Sequence, residues 1–412
     1  KSLSSLPNAC NRDNFIMERI FFMAEIGYIE LGPIRPPSEA QSLLIRVTRN
    51  CPWNQCEFCH TYKGERFSFR PVEEIKKDID QVGKILEQIQ KFSWTLGYAG
   101  EINRQVLTQV YRQSGQYDPG WQNVVGWLYS GGQQVFLQDA NTLMVKTPDL
   151  VEILKYLKNR FPFIERITSY GRARTLAKKT VEELKELREA GISRIHIGME
   201  SGYDPLLEYM KKGVTAKEQV QAGQNIVQSG ISLCEYVMPG LGGTRWWREH
   251  AVETARVLNQ INADFIRFRT LYVRQDMPLY EKVAKGEFER PSDDAIIREI
   301  RLFLETLDGI QSTIVSDHIL NLLEEIQGKL PEEKEAMLAV IDRYLALPDE
   351  ERLRYRVGRR LGHYRSLADM EDPAARRRIQ RIIEEVRSSG ANGPRSHEEI
   401  EKEVYQMMEN YI

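Results

Sequence analysis

Cys51, Cys56 and Cys59, three of the chain's five cysteines, fall within nine positions of one segment, Arg49-Asn-Cys-Pro-Trp-Asn-Gln-Cys-Glu-Phe-Cys-His60. Thiolates crowded this closely repel one another and oxidise unless a cation holds them, so the spacing points to a metal ion or a cluster. With His60 as fourth ligand the set suits structural zinc, although zinc sites of that composition usually join two short knuckles from separate places. A cubane iron–sulfur cluster held by three cysteines instead keeps one iron open for a substrate or cofactor.

The elements that must position this loop are legible in the apolar pattern. Leu43–Val47 predicts a buried strand from whose end the cysteine loop departs. A helix follows at Arg70-Pro-Val-Glu-Glu-Ile, with proline at its start and Ile75, Ile79, Val82 and Ile85 along one face. Residues 91–133 read as an insertion rich in tryptophan and tyrosine, whose aromatics either pack a core or line a substrate entrance. Further strands are predicted over 134–141, 166–174, 193–202, 232–243 and 264–269, separated by helical segments such as the one capped by Thr180 and ended by Gly191. Six such units predict an α/β chain with a partial (β/α)6 TIM-like barrel and its chemistry at one rim. The expected organisation is an N-terminal lead-in over 1–40, a barrel over 41–275 and a helical extension over 276–412. In that extension amphipathic helices are read at 294–304, at 319–326 and from Leu330-Pro331 onward. Within the lead-in a helix is read at 15–23 and Cys10 as an ordinary thiol.

The Cys-x4-Cys-x2-Cys spacing, with Phe58 before the last cysteine, resembles the signature of the radical S-adenosylmethionine (radical SAM) superfamily, most of whose members place three residues between the first two cysteines. Gly-Met-Glu-Ser-Gly at 198–202, followed by Met210-Lys-Lys-Gly213, is similar to the fourth-strand region of the branch that holds oxygen-independent coproporphyrinogen oxidases and methylthiotransferases. Met238-Pro-Gly-Leu-Gly-Gly243 resembles the fifth-strand glycine segment of that branch. The resemblance implies a [4Fe-4S] cluster on Cys51, Cys56 and Cys59, S-adenosylmethionine as second cofactor, and a one-electron donor of flavodoxin or ferredoxin type. It implies reductive cleavage of S-adenosylmethionine to a 5′-deoxyadenosyl radical that abstracts hydrogen from a substrate, with the class of oxidoreductase, transferase or lyase undecided. Asp139 or Asn141 is then the candidate partner of the cofactor amine, and Arg172 or Arg174 of its carboxylate. Glu200 and Ser201 are candidates for the ribose hydroxyls, Gly240 and Gly242 for backbone approach to the adenine, and Phe58 for stacking. Gln133 stands where many members carry glutamate, which moves the amine assignment to Asp139. Asp317 and His318, just past the barrel, read either as a proton-transfer pair or as the cap of the next helix.

Composition bounds the partners. A net charge of −2 over 57 basic and 59 acidic side chains gives no bulk attraction to nucleic acid or membrane, which argues for a small-molecule substrate and against RNA. The alternatives are a tRNA-modifying member and a non-catalytic cluster or haem carrier on the same barrel. Clustered, odd-numbered cysteines fit a reducing, cytoplasmic setting and an oxygen-sensitive protein, and no run approaches the ~20 apolar residues of a membrane span. Cys10 and Cys234 are too few for a second cubane.

Overall fold

The computed structural model describes residues 27–114, 118–389 and 394–407; the readings at Cys10 and at 15–23 lie outside them. Eight strands form one sheet in sequential order: β1 (Leu43–Arg46), β2 (Gln134–Gln138), β3 (Arg166–Gly171), β4 (Ile192–Glu200), β5 (Ser232–Val237), β6 (Phe265–Phe268), β7 (Thr313–Val315) and β8 (Gly328–Lys329). Parallel neighbours joined through helices give the (β/α) pattern of a partial barrel, with β8 added antiparallel to β7.

The described residues divide into two compact units. In the first, which takes in residues up to 49 and 68–168, β1 and β2 run in register from Leu43↔Val135 to Arg46↔Gln138. Helix α1 (Val72–Thr95) buries Ile75, Ile79, Val82, Ile85 and Ile89 and packs on α4 (Thr147–Arg160). The 91–133 insertion forms α2 (Arg104–Ser114) and α3 (Pro119–Tyr129). Its aromatics divide: Trp121 and Trp127 are core, whereas Trp94, Tyr98, Tyr111 and Tyr129 face solvent.

The second unit, 50–67 and 169 onward, carries the cysteine loop together with β4 to β8. Ile195, Ile197, Leu233, Ile266 and Ile314 are wholly buried on successive strands, the continuous apolar reading a parallel sheet requires. Helices α5 (Val181–Ala190) and α7 (Ala216–Ser229) each begin in a reciprocal capping box, Thr180 with Glu183 and Thr215 with Glu218; the six-residue α6 (Asp204–Tyr209) lies between them. Helix α8 (Gly243–Ile261) packs on α9 (Asp293–Thr306), and α10 (Lys334–Leu345), α11 (Asp349–Arg360), α12 (Pro373–Ser388) and α13 (His397–Met407) complete the chain.

Two expectations for the C-terminal region are corrected. The β-branched run Thr313-Ile-Val315 is a strand beside β6, so the sheet continues past the six expected strands. No helix forms over 319–326. Its apolar spacing is used by turns that bury Leu320, Leu322, Leu323 and Ile326, while the guanidinium groups of Arg360 and Arg359 donate to the Leu320 and Asn321 carbonyls that a helix would have used itself. Among the described residues no helix is long and apolar enough to cross a membrane.

Candidate active site

Four successive main-chain carbonyls of the turn after α6 accept hydrogen bonds, two from the cysteine loop and two from arginines that follow β3. The Glu57 N–H donates to Met210 O (3.0 Å), Trp53 Nε1 to Lys211 O (2.7 Å), Arg172 to Lys212 O (2.8 Å) and Arg174 to Gly213 O (3.4 Å). The turn has this shape because Lys211 and Gly213 hold positive φ, 50° and 68°. Within the loop, the Asn54 N–H donates to Cys51 Sγ (3.4 Å) and the Cys59 N–H to Cys56 O (3.3 Å). All three thiols are half-buried and free.

Two cations attend them. Burial pushes the Cys56 thiol up, and the charges of Lys212 and Arg172 pull against it; Cys51 and Cys59 lie near enough to push the same way as burial. Burial likewise lowers Arg172, which Cys51 and Cys56 counteract. Lys212 Nζ bonds Glu200 Oε1 at 3.1 Å and stands 5.5 Å from the centre of the Phe58 ring. Phe58 is buried among Leu206, Met210, Met238 and Leu241. The cysteine loop, Phe58, Arg172 and Glu200 thus share one neighbourhood. Arg174 points further out, 3.9 Å from Glu218 and 47% exposed at its side chain. His60 Nδ1 faces Asp276 at 3.5 Å. Among the described residues, no three His, Cys, Asp or Glu side chains are drawn together closely enough to hold a single metal ion.

Behind this face lies a fully buried network that joins the ends of β4 and β5. The Ser201 hydroxyl accepts from the Tyr203 N–H (3.1 Å) and lies 2.9 Å from His250 Nδ1, while His250 Nε2 lies 3.1 Å from Met238 O. A tautomer with the proton on Nε2 satisfies all three. Glu299 Oε1 accepts from the Gly240 N–H (2.9 Å) and is 3.5 Å from His250 Nε2. Burial pushes Glu299 up to about 8 and His250 down to about 4. Gly240 takes φ +87°, and a Cβ at Gly242 would meet the Trp246 backbone at 2.9 Å. Asp139 and Asn141 belong to the first unit, both wholly buried, with Asp139 Oδ2 2.8 Å from the Arg46 guanidinium.

Past β7, Asp317 pairs with Arg267 at 2.8 Å, and His318 Nδ1 accepts from the Leu320 N–H at 3.2 Å. Burial first, then the charges of Arg269, Arg267 and Arg359, push His318 down to about 4, so its ring is neutral at physiological pH. With no helix at 319–326, neither residue caps one.

Sequence reasoning passed over Trp53, Lys212, His250, Glu299 and Glu235. The last is a carboxyl buried in β5 and pushed up to about 8 by burial, in a region where Lys212 and Glu200 act on it in opposite directions. An acidic residue inside an otherwise apolar strand was its only signal. His250 sits in the helix that follows β5, 49 residues from Ser201, and Glu299 sits 59 residues from Gly240.

A family model described as the radical SAM superfamily matches residues 45–255. A tRNA uridine(34) acetyltransferase of Methanocaldococcus jannaschii is 23% identical over 120 residues, 29% of this chain and 22% of that protein. The chain therefore spans about a fifth of the length of the curated relatives it matches. Among solved structures, Methanocaldococcus infernus Elp3 aligns with a TM-score of 0.40 and 15% identity, covering 57% of this chain and 58% of that one. Coproporphyrinogen III oxidase of Escherichia coli aligns with a TM-score of 0.39 and 14% identity over 64% and 52%.

Proposed function

The chain belongs to the radical SAM superfamily, and on that premise we propose that Cys51, Cys56 and Cys59 hold the [4Fe-4S] cluster of an enzyme that removes hydrogen from an unactivated carbon. The observation that carries this reading is the cysteine loop itself: three free thiols, with Cys51 and Cys56 under the charge of Arg172 and Cys56 also under that of Lys212, as suits a donor set that must bind as thiolates and carry net negative charge. Bound together, the cluster and S-adenosylmethionine supply a carbon-centred radical once an external donor provides one electron.

The chain's own groups then have separable tasks. The Asn54 N–H bonds the Cys51 sulfur, and the carbonyls of Met210 and Lys211 fix the loop. Arg172, the nearer of the two arginines to the thiols, is assigned to the cofactor carboxylate. Lys212 orients Glu200 toward the ribose. Ser201 and Gly240, held by His250 and Glu299, set the spacing of the two strand ends between which the cofactor lies. Phe58 and its apolar surroundings exclude water from the side of the cluster.

The test is anaerobic reconstitution followed by S-adenosylmethionine, dithionite and an assay for 5′-deoxyadenosine. About four irons per chain, the content of one cubane, with 5′-deoxyadenosine that disappears in Cys56→Ala is the expected result. Zinc without iron and no cleavage would overturn the reading.

A second reading of the substrate, a tRNA, is favoured by the match to proteins named for tRNA uridine chemistry. It runs against the expectation of a small molecule drawn from net charge. Adding bulk tRNA to the same assay decides it: faster 5′-deoxyadenosine formation and transfer of hydrogen from tRNA support the tRNA, and no response returns the search to small molecules.

A further inference from the structure

Glu57 stands between Cys56 and Cys59, and both its backbone and its carboxylate are tied down. Its N–H donates to Met210 O (3.0 Å), and its carbonyl accepts from the Leu279 N–H (2.9 Å). Its carboxylate lies 2.6 Å from Lys211 Nζ and 3.8 Å from Lys282 Nζ. Lys211 belongs to the turn after α6 and Lys282 to the short helix Pro278–Ala284, so one carboxylate joins both segments that hold the loop. Lys282 is itself fixed: it donates to Tyr209 O (3.2 Å), and its ammonium is 3.8 Å from the centre of the Tyr209 ring.

The Glu57 side chain is only 5% exposed, and a carboxylate buried to that degree is costly even when paired. Holding the loop does not require one. The two main-chain bonds are open to any residue but proline, and the next residue, Phe58, is buried among apolar side chains. What a glutamate adds is charge, and covalent geometry keeps that charge near the thiols, because Glu57 directly follows Cys56 and consecutive Cα atoms are about 3.8 Å apart. Alone, its negative charge would disfavour an added electron on a cluster already held by three thiolates. Lys211 and Lys282 reverse the sign: the three groups carry −1, +1 and +1, which leaves one net positive charge beside the cysteine loop.

We propose that Glu57 is a positioning residue that sets the reduction potential of the cluster site, by holding Lys211 and Lys282 against the cysteine loop so that their net positive charge favours the reduced state. This assignment rests on the reading of Cys51, Cys56 and Cys59 as cluster ligands, and it adds the groups that tune what those ligands hold. Net charge, hydrogen bonds to sulfur and solvent exposure govern such a potential. Of the three, Glu57 and its two lysines control the first. Lys211, with a side chain 60% exposed, is the member that can be changed from the surface, whereas Lys282, at 20%, is the less screened charge.

The test is a redox titration of the anaerobically reconstituted full chain without S-adenosylmethionine, followed by the electron paramagnetic resonance signal of the reduced cluster. The local charge is +1 in the native protein, +2 in Glu57→Gln, 0 in Lys211→Gln and +1 again in the double variant. The midpoint potential should therefore shift positive in Glu57→Gln and negative in Lys211→Gln, return to the native value when the two are combined, and stay there in Lys211→Arg. A residue that merely held the loop would lower the iron retained in both single variants without this pattern of opposite signs. Because Lys211 is largely exposed, Lys211→Gln leaves the core intact and tests the sign even where Glu57→Gln does not fold. A midpoint in Lys211→Gln equal to or above the native one would overturn the proposal, as would shifts of the same sign in the two single variants. Native protein that retains no iron would sink the cluster reading and this assignment with it, whereas a native cluster with the wrong pattern of shifts would sink the role of Glu57 alone.

Discussion

Replacing Glu299 by glutamine tests the buried network behind the two strand ends, through the pH dependence of stability. The native carboxyl is held up at about 8 and His250 down at about 4, against ordinary values of 4.5 and 6.5. From about pH 4.5 to 6.5 the folded pair and the unfolded chain bind equal numbers of protons, because the unfolded chain has an ionised glutamate and a charged histidine where the folded pair has a neutral acid and a neutral ring. Between about pH 6.5 and 8 the unfolded histidine is neutral too, so the folded state binds one more proton. That count belongs to the pair, whichever of its two groups holds the proton. A group whose folded pKa is raised contributes stability that is present at low pH and lost as pH rises to the folded value. At about 1.4 kcal/mol per unit, the loss from pH 6.5 to 8 is about 2 kcal/mol. Glutamine keeps an oxygen for the Gly240 N–H but cannot ionise. Urea unfolding of both proteins at the two pH values should show native stability falling by about 2 kcal/mol more than that of Glu299→Gln. Glu235 carries a shift of the same sign but is present in both proteins, so the difference isolates Glu299. Parallel falls in the two proteins would refute the assignment of the extra proton to this pair.

Two further outcomes follow from the geometry. Gly213→Ala puts a Cβ at φ +68° and 2.3 Å from the Trp53 ring, so it should cost about 1–3 kcal/mol in urea unfolding and lower the iron retained on reconstitution; native-like values on both would show that the loop does not depend on that turn. Asp294→Ala strips Arg356 of a 2.7 Å partner and Arg352 of another at 2.9 Å, leaving two largely buried guanidinium groups short of anions. The expected loss is about 3 kcal/mol, read as a lower midpoint in denaturant, with Arg356 still sharing Glu401 and Arg352 still paired with Asp349.

What the sequence made legible was whatever repeats with a period. The parallel strands announced themselves as short apolar runs, and the helices by their caps; the Thr180 and Thr215 boxes are written in the chain as Thr-x-x-Glu. Periodicity misled at 319–326, where leucines spaced for a helix are buried by turns whose carbonyls arginines of α11 satisfy. The clustering of the cysteines was plain, but their seat was not: the carbonyls of Met210 and Lys211 leave no side-chain mark. Nor could spacing separate Arg172 from Arg174, two residues apart, of which only the first bears on the thiols.

The turn at 210–213 meets the cysteine loop through two of its main-chain oxygens, those of Met210 and Lys211, which accept from the Glu57 N–H and from Trp53 Nε1 on either side of Cys56. The same two residues also present side chains to the loop, Met210 to Phe58 and Lys211 to the Glu57 carboxylate. A main-chain oxygen accepts whatever side chain its residue carries, so drift at 210 or 211 keeps the two hydrogen bonds, whereas the ion pair ties Lys211 to Glu57 and its exchange would require two changes at once.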